Sequence, residues 1–120
     1  MSSKLEGKVV LITGSTTGIG EAAARLCIEE GARVMIHGRN DERARALRND
    51  LGQTSDYVIG DIGDPNVCEN IVDSTVERFG SIHCVVNNAA LTWRATLEET
   101  DAATFDRMIA VNLRAPILVI

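Results

Sequence analysis

Positive charge is scarce in this 120-residue sequence, which has 12 Lys and Arg residues against 17 Asp and Glu, for a net charge of −5. This balance argues against DNA, RNA or anionic lipid as a partner, so any positive charge used for binding has to be local. No apolar run reaches the roughly 18–20 residues that a membrane-spanning helix needs. The first six residues also lack the apolar stretch of a secretory signal peptide.

Cysteine is also rare, with Cys27, Cys68 and Cys84 as the three examples. An odd number without metal-ligand spacing predicts neither a disulfide framework nor a metal site. Because free cysteine is usually buried, we predict reduced thiols in or near the core and a cytoplasmic location, where such thiols persist. The 45% of hydrophobic and 24% of charged residues are typical of an ordinary globular domain.

Strand-like and helix-like segments alternate along the chain. Apolar, β-branched runs predict strands at 8–13, 33–37, 57–60 and 82–86, and periodic or capped segments predict helices at 18–30, 41–51, 65–79 and 104–120. The connection between two parallel strands of a sheet usually contains a helix. Continuous apolar runs indicate strands that are covered on both faces. The sequence therefore predicts an α/β fold of the Rossmann type, a doubly wound parallel sheet with strand order 3-2-1-4.

The predicted sheet is incomplete. No strand follows the last helix to finish its crossover, and the strand at 82–86 would form a bare apolar edge, which is an aggregation hazard. We therefore expect residues 1–120 to be the N-terminal portion of a single-domain protein. The alternative is a natural 120-residue protein that dimerises over this edge.

A glycine-rich turn with the spacing G-x-x-x-G-x-G joins the first strand to the first helix. Gly14 permits a sharp turn, Gly18 lets backbone approach a pyrophosphate, and Gly20 lets the helix pack closely on the strand. The helix N-terminus adds unpaired N–H groups and partial positive charge, and the hydroxyls of Ser15 and Thr17 can bind phosphate or ribose oxygens. This placement favours a nucleotide site over a merely flexible turn.

The segment 13–20, Thr-Gly-x-x-x-Gly-Ile-Gly, resembles the fingerprint of the short-chain dehydrogenase/reductase family, and Ile19 belongs to this cofactor-binding turn. The pair at 61–62, the segment Asn-Asn-Ala-Ala at 87–90 and Asn112 support the resemblance, which covers essentially the whole chain. The resemblance implies an NAD(P)-dependent oxidoreductase that interconverts a carbonyl and an alcohol of a small molecule. It also implies a homo-oligomer.

The end of the second strand indicates which nicotinamide cofactor is used. An NAD site usually has an acid there, bound to the adenosine ribose, but this position is Gly38, and residues 32–40 contain no acid. Arg39 offers a planar fork suited to the oxygens of a 2′-phosphate, and family members with arginine here typically prefer NADPH. We predict NADP(H) as the cofactor; the alternatives are NAD(H) and an Arg39 that is only a solvated turn residue.

The resemblance also implies contacts along the rest of the cofactor. The Asp61 carboxylate would accept from the adenine amino group and the Ile62 N–H would reach a ring nitrogen, although Asp61 could also be a plain turn residue. Asn88 would contact the adenosine ribose and hold the neighbouring strand in place. Ala89 and Ala90 have small side chains, which leave room for the cofactor along this wall of the site. The family usually has glycine at the place of Ala90, so its methyl group leaves the seating of the cofactor open.

Asn112 interrupts the apolar stripe of the last helix and is expected to place an amide in the core. A buried amide without partners costs roughly 1–3 kcal/mol, so Asn112 must be hydrogen-bonded. The resemblance places it in the catalytic set, holding a water in a proton relay to a lysine; the alternative is a structural bond to backbone.

Pro116 should kink the helix or remove a hydrogen bond one turn back. The stripe comprises Phe105, Met108, Ile109, Leu113, Pro116 and Ile117.

The other members of the family's catalytic set, a serine, a tyrosine and a lysine, are expected beyond the next strand. Tyr57 cannot replace the tyrosine because no lysine lies four residues later, and Lys4 and Lys8 are the only lysines. The alternatives to an enzyme are a nucleotide-binding module, a truncated inactive protein or a scaffold that only dimerises. A serine and then Tyr-x-x-x-Lys encoded past codon 120 would favour the enzyme.

The loop at 91–94 should border the substrate, by the same resemblance. Trp93 and Arg94 could line the entrance of the substrate pocket, but an exposed aromatic residue could equally make subunit contacts. The substrate itself is not indicated by the sequence.

Overall fold

The computed structural model describes residues 3–91 and 95–120, and its four strands form one parallel sheet in the order β3-β2-β1-β4. The strands are β1 (Val9–Ile12), β2 (Arg33–Gly38), β3 (Ser55–Ile59) and β4 (Cys84–Val86). The helices are α1 (Gly18–Glu29), α2 (Asp41–Leu51), α3 (Pro65–Phe79), α4 (Ala102–Ile109) and α5 (Ala115–Val119), with a π-helical turn (Ala110–Arg114) between the last two. The predicted α/β fold and strand order are confirmed.

The central strand β1 is buried on both faces, because successive side chains of a strand point to opposite sides of the sheet. Val9 and Leu11 pack in a core cluster with residues of α3 and α5. Val10 and Ile12 pack in a second cluster with residues of α1 and α2. All four side chains are at most 2% exposed, as expected for an interior strand of a doubly wound sheet.

The helices differ in how their first N–H groups are satisfied. Asn40, Asp64 and Asp101 each accept a hydrogen bond from a first-turn N–H of α2, α3 and α4, at 3.1, 2.9 and 2.7 Å. Thr17, at the same position before α1, makes no such bond. The N–H groups at the start of α1 are therefore left without a side-chain cap at the carboxyl edge of the sheet.

The last helical region begins at Ala102, two residues before the predicted start, and is interrupted by the π-helical turn. Pro116 is the second residue after this turn and has no N–H to donate to the carbonyl group of Asn112, one turn earlier. The wider turn lies where proline was expected to disturb the helix.

The buried face of this region is not the predicted apolar stripe. The residues that are buried are Ala110, Val111, Ala115 and Val119. Phe105 and Leu113, which belong to the stripe, are 57% and 54% exposed. The prediction that Asn112 lies in the core was wrong, because the smaller side chains pack against the sheet and α3 and leave Asn112 exposed.

The three cysteine thiols are free, and they lie at different depths. Cys68 is buried and Cys27 is half-buried, as expected, but Cys84 is exposed on the edge strand β4. Within residues 3–91 and 95–120 no group of His, Cys, Asp or Glu side chains is placed to hold a metal ion. None of the helices described there has both the length and the apolar character needed to cross a membrane.

Candidate functional site

A pocket of about 460 Å³ lies at the carboxyl edge of the sheet, next to the central strand β1. Ligands of open α/β sheets bind at this edge, where the strand order reverses, and the volume is typical of a small-molecule site. Most of the predicted cofactor-binding residues line it: Gly14, Thr17, Gly18, Ile19, Arg39, Asp61, Ile62, Asn88, Ala89 and Ala90. Ser15, Gly20 and Asn112 are not among its lining residues.

The glycine turn forms one wall of this pocket, and two of its glycines have left-handed backbone conformations. Gly14 has a φ of 62° and Gly18 a φ of 59°, which side-chain-bearing residues rarely adopt. A Cβ on Gly14 would lie 2.9 Å from the Cα of Ala89, so no side chain fits between the turn and the end of β4. A Cβ on Gly18 would meet nothing within 4 Å, so the backbone there is open to a ligand.

Gly20 and Asn88 hold the start of α1 against the neighbouring strands. The Asn88 Nδ2 donates a hydrogen bond to the Gly14 carbonyl at 3.0 Å. A Cβ on Gly20 would lie 2.4 Å from that same carbonyl oxygen and 2.6 Å from Asn88 Nδ2. Gly20 therefore lets α1 pack closely on the glycine turn, and Asn88 connects the segment after β4 to that turn.

Thr13 was not predicted as a site residue, yet it organises the end of β4. Its side chain is 1% exposed, and its hydroxyl oxygen accepts from the N–H groups of Asn88 at 3.1 Å and Ala89 at 3.0 Å. The segment after β4 is thereby fixed to the end of β1, on the wall of the pocket. The threonine in the Thr-Gly start of the turn was the available sequence signal.

Ser15 faces away from the pocket, contrary to the role predicted for its hydroxyl. The hydroxyl donates to the Ile12 carbonyl at 2.8 Å and accepts from the His37 N–H at 2.9 Å. The residue is completely buried. Because both hydrogen bonds hold the hydroxyl inside the core, it is not available to phosphate or ribose oxygens; the Thr17 hydroxyl belongs to a residue that does line the pocket.

Positive charge is concentrated beside the end of β2. Arg39 and Arg43 both line the pocket and are exposed, and neither makes an ion pair with any residue in the described part of the chain. Gly38 stands where an NAD site would carry an acid, and it is buried. Arg43 was not predicted; its place in the first turn of α2, close behind Arg39, was the available signal.

Asp61 also lines the pocket and is held by Arg107. The Arg107 guanidinium donates to Asp61 Oδ1 at 2.7 Å, and the Gly63 N–H donates to the same oxygen at 2.9 Å. Partial burial raises the pKa of the Asp61 carboxyl, but these hydrogen bonds outweigh burial and leave the pKa below its ordinary value. The role of Arg107 was not predicted, because Arg107 and Asp61 are 46 residues apart and no local sequence pattern indicates that they meet.

Asn112 makes two hydrogen bonds to the backbone of Leu91, which lines the pocket. Its Oδ1 accepts from the Leu91 N–H at 2.8 Å, and its Nδ2 donates to the Leu91 carbonyl at 2.7 Å. These are the contacts of the structural alternative, and the proton relay stays a prediction.

Trp93 and Arg94 lie outside the described residues. Tyr57 packs under the Arg48 guanidinium, 5.3 Å from its ring centroid, and does not line the pocket.

Comparison with known proteins assigns the family. The family profile described as short chain dehydrogenase matches residues 8–120. An uncharacterized oxidoreductase from Thermotoga maritima is 39% identical over 116 residues, which cover 94% of this chain and 45% of that protein. An NADP-dependent (R)-specific alcohol dehydrogenase from Lentilactobacillus kefiri is 36% identical over 115 residues, covering 94% of this chain and 46% of that protein.

Solved structures show the same fold. A blue fluorescent protein from a metagenomic library, in complex with NADPH, superposes with a TM-score of 0.92 at 28% identity, over 96% of this chain and 49% of that one. A 3-ketoacyl-(acyl-carrier-protein) reductase from Brucella melitensis, complexed with NADH, gives 0.89 at 31% identity, over 97% and 48%. The chain therefore belongs to the short chain dehydrogenase family of oxidoreductases, and it spans about half the length of the relatives that it matches.

Proposed function

We propose that residues 1–120 form the cofactor-binding part of an NADP(H)-dependent oxidoreductase that interconverts a carbonyl and an alcohol. The observation that carries the proposal is the charge arrangement of the pocket. Arg39 and Arg43 line it and form no ion pair among the described residues, and Gly38 puts no carboxylate at the end of β2. A 2′-phosphate adds negative charge at this place, where two guanidinium groups can hydrogen-bond its oxygens.

The residues of the pocket fit a dinucleotide. The open backbone at Gly18 and the uncapped start of α1 suit a diphosphate, which needs N–H donors and close approach of the chain. The Oδ2 of Asp61, which accepts no hydrogen bond from the described part of the chain, and the backbone at Ile62 would bind the adenine. Asn88, Ala89 and Ala90 would line the path towards the nicotinamide. The nicotinamide supplies hydride transfer when the cofactor is bound.

Relatives support NADP(H) without deciding the cofactor. The Lentilactobacillus kefiri relative is named as NADP-dependent, and one solved structure of the same fold holds NADPH. Another holds NADH, so family membership alone is compatible with both cofactors. The preference proposed for this chain depends on its own residues Arg39, Arg43 and Gly38.

The substrate proposed is a small molecule with a carbonyl or alcohol group, and the protein is proposed to act as a homo-oligomer. The exposed apolar side chains of the last helical region support oligomerisation, since a patch of this kind usually marks an interaction surface. They are Phe105, Ile109, Leu113, Ile117 and Leu118. The role of Asn112 in the catalytic set also remains part of the proposal.

A fluorescence titration of the purified, folded protein with NADPH and NADH tests the proposal. We expect saturable binding of both, with NADPH at least about tenfold tighter, which corresponds to about 1.4 kcal/mol. Circular dichroism establishes that the sample is folded. Tighter binding of NADH would contradict the proposed cofactor, and no binding of either would contradict the proposed site.

A further inference from the structure

His37 is a buried, fully hydrogen-bonded histidine at the end of β2, directly behind the glycine turn. Its side chain is 2% exposed. Its Nδ1 is 3.0 Å from the Gly14 backbone nitrogen, and its Nε2 is 2.9 Å from the Gly60 carbonyl oxygen. A carbonyl oxygen only accepts hydrogen bonds and a backbone N–H only donates them. The ring therefore carries its proton on Nε2 and accepts from Gly14 through an unprotonated Nδ1, so it is neutral.

The backbone of His37 supports the next residue of the turn. The His37 carbonyl accepts from the Ser15 N–H at 2.8 Å, and the His37 N–H donates to Ser15 Oγ at 2.9 Å. Gly14 and Ser15, the first two residues after Thr13, are thus both attached to one residue of β2. Gly60, at the other end of the imidazole, follows β3, so the ring connects the ends of three strands.

We propose that His37 is a positioning residue, which holds the Gly14 amide of the dinucleotide turn in place and does so only as a neutral imidazole. The inference rests on the proposed nucleotide site, because it assigns His37, which also lines the pocket, an effect on nucleotide affinity that acts through the Gly14 amide. A protonated ring would present an N–H to the N–H of Gly14, and the hydrogen bond that anchors the turn would be lost.

The surroundings of His37 favour the neutral ring. Burial is the largest influence and lowers the pKa of His37 below its ordinary value of 6.5. Asp61, which follows β3, favours the charged form, Arg39 on the adjoining segment disfavours it, and the glycine turn contributes no charged side chain. A lowered pKa means that the anchored turn is fully present above 6.5 and is lost as the pH falls through the lowered value.

Two substitutions test the hydrogen bonds of the two ring nitrogens separately. His37→Asn keeps an amide oxygen near the position of Nδ1, and His37→Gln keeps an amide nitrogen near the position of Nε2 but leaves Gly14 without an acceptor. The probe is ADP-ribose, which carries the diphosphate but no 2′-phosphate that titrates near neutrality. At about pH 7.5 we expect the Asn variant to bind within about threefold of the wild type and the Gln variant to bind about tenfold more weakly.

The pH dependence of ADP-ribose affinity is a second measurement. A purely structural role of His37 would not produce the pH dependence expected here. We expect wild-type affinity for ADP-ribose to fall at least about fivefold between about pH 7.5 and about pH 4.5, while the Asn variant, which has no imidazole, shows less than about half of that change. Equal profiles for the wild type and the Asn variant would overturn the pH dependence.

Amide hydrogen exchange measured by NMR tests the positioning role without a ligand. Exchange at Gly14 should be slow in the wild type and the Asn variant and at least about tenfold faster in the Gln variant. Unchanged exchange at Gly14 in the Gln variant would refute the role of His37. Failure of the wild-type protein to bind ADP-ribose at neutral pH would instead refute the proposed nucleotide site, so the two failures are distinguishable.

Discussion

The Thr16 side chain lies directly over Gly38, so that a Cβ on Gly38 would be 2.6 Å from Thr16 Cγ2 and 2.8 Å from its Oγ1. The absence of an acid at position 38 is therefore matched by a threonine that occupies the space an acid would need. Thr16 lies in the β1–α1 connection, and Gly38 is the last residue of β2. Their contact predicts that an acid at position 38 fits only if Thr16 is changed as well.

This contact predicts that Gly38→Asp alone does not strengthen NADH binding. The new side chain would displace Thr16, and we expect NADPH affinity to fall at least about tenfold without a gain for NADH. Adding Thr16→Ala removes both clashing atoms and should raise NADH affinity at least about fivefold over the single variant. Thr16→Ala alone is the control. Equal NADH affinity in the single and double variants, measured by fluorescence titration, would show that Thr16 is no obstacle.

Arg39 and Arg43 should contribute to NADPH binding and not to NADH binding. Hydrogen bonds to a charged group contribute about 1.5–3 kcal/mol, so Arg39→Ala or Arg43→Ala should weaken NADPH about tenfold or more and change NADH less than about twofold. Arg45→Ala is the matched control, because Arg45 is an exposed arginine on α2 that pairs with Asp41 at 2.6 Å and does not line the pocket. An equal loss of affinity for both nucleotides would mean that these arginines contact a part of the cofactor that NADPH and NADH share, and not the 2′-phosphate.

Gly20 should tolerate no side chain. A methyl group there would lie 2.4 Å from the Gly14 carbonyl oxygen, so Gly20→Ala should push α1 away from the turn. Overpacking of this kind costs about 1–3 kcal/mol, which thermal unfolding would detect, and both nucleotides should bind more weakly by the same factor. Ala22→Ser, at an exposed position of α1, is the control. Unchanged stability of Gly20→Ala would mean that the helix packs less closely than the structure shows.

The pair of Asp61 and Arg107 has a predicted effect on titration. The Asp61 pKa lies below its ordinary value, so the ion pair is complete at neutral pH and is lost as the pH falls through the lowered value. Arg107→Met should raise the Asp61 pKa, since the effect of burial is then opposed only by the Gly63 N–H and the charge of Arg39. NMR of the carboxyl carbon would record this change. Arg114→Met is the control, because Arg114 donates to the Gly63 carbonyl and not to Asp61. An unchanged Asp61 pKa in Arg107→Met would contradict the pair.

Local patterns in the sequence predicted the sheet and the glycine turn. The continuous apolar runs around Val10 and Val34 indicate strands covered on both faces, and the glycines at 14, 18 and 20 need only their immediate neighbours to define a turn. Most of the predicted cofactor-binding residues line one pocket for this reason, because a parallel sheet brings the ends of its strands together.

Contacts between distant segments could not be predicted in the same way. Periodicity identified the last helical region, but its buried face depends on the π-helical turn before Pro116 and on the fit of Val111 and Ala115 against α3. Whether the Ser15 hydroxyl points inward depends on the His37 backbone, 22 residues away. Arg107 meets Asp61 only because the fold brings α4 to the segment after β3.

The proposed cofactor site requires that the glycine turn and the start of α1 bind the diphosphate of a dinucleotide. Backbone ¹H–¹⁵N NMR spectra recorded during an NADPH titration test it most directly, because each amide reports its own surroundings. We expect the largest saturable shifts at the amides of Gly14, Gly18, Ile19 and Gly20. Saturable binding that leaves these amides unmoved, with the largest shifts elsewhere in the chain, would contradict it.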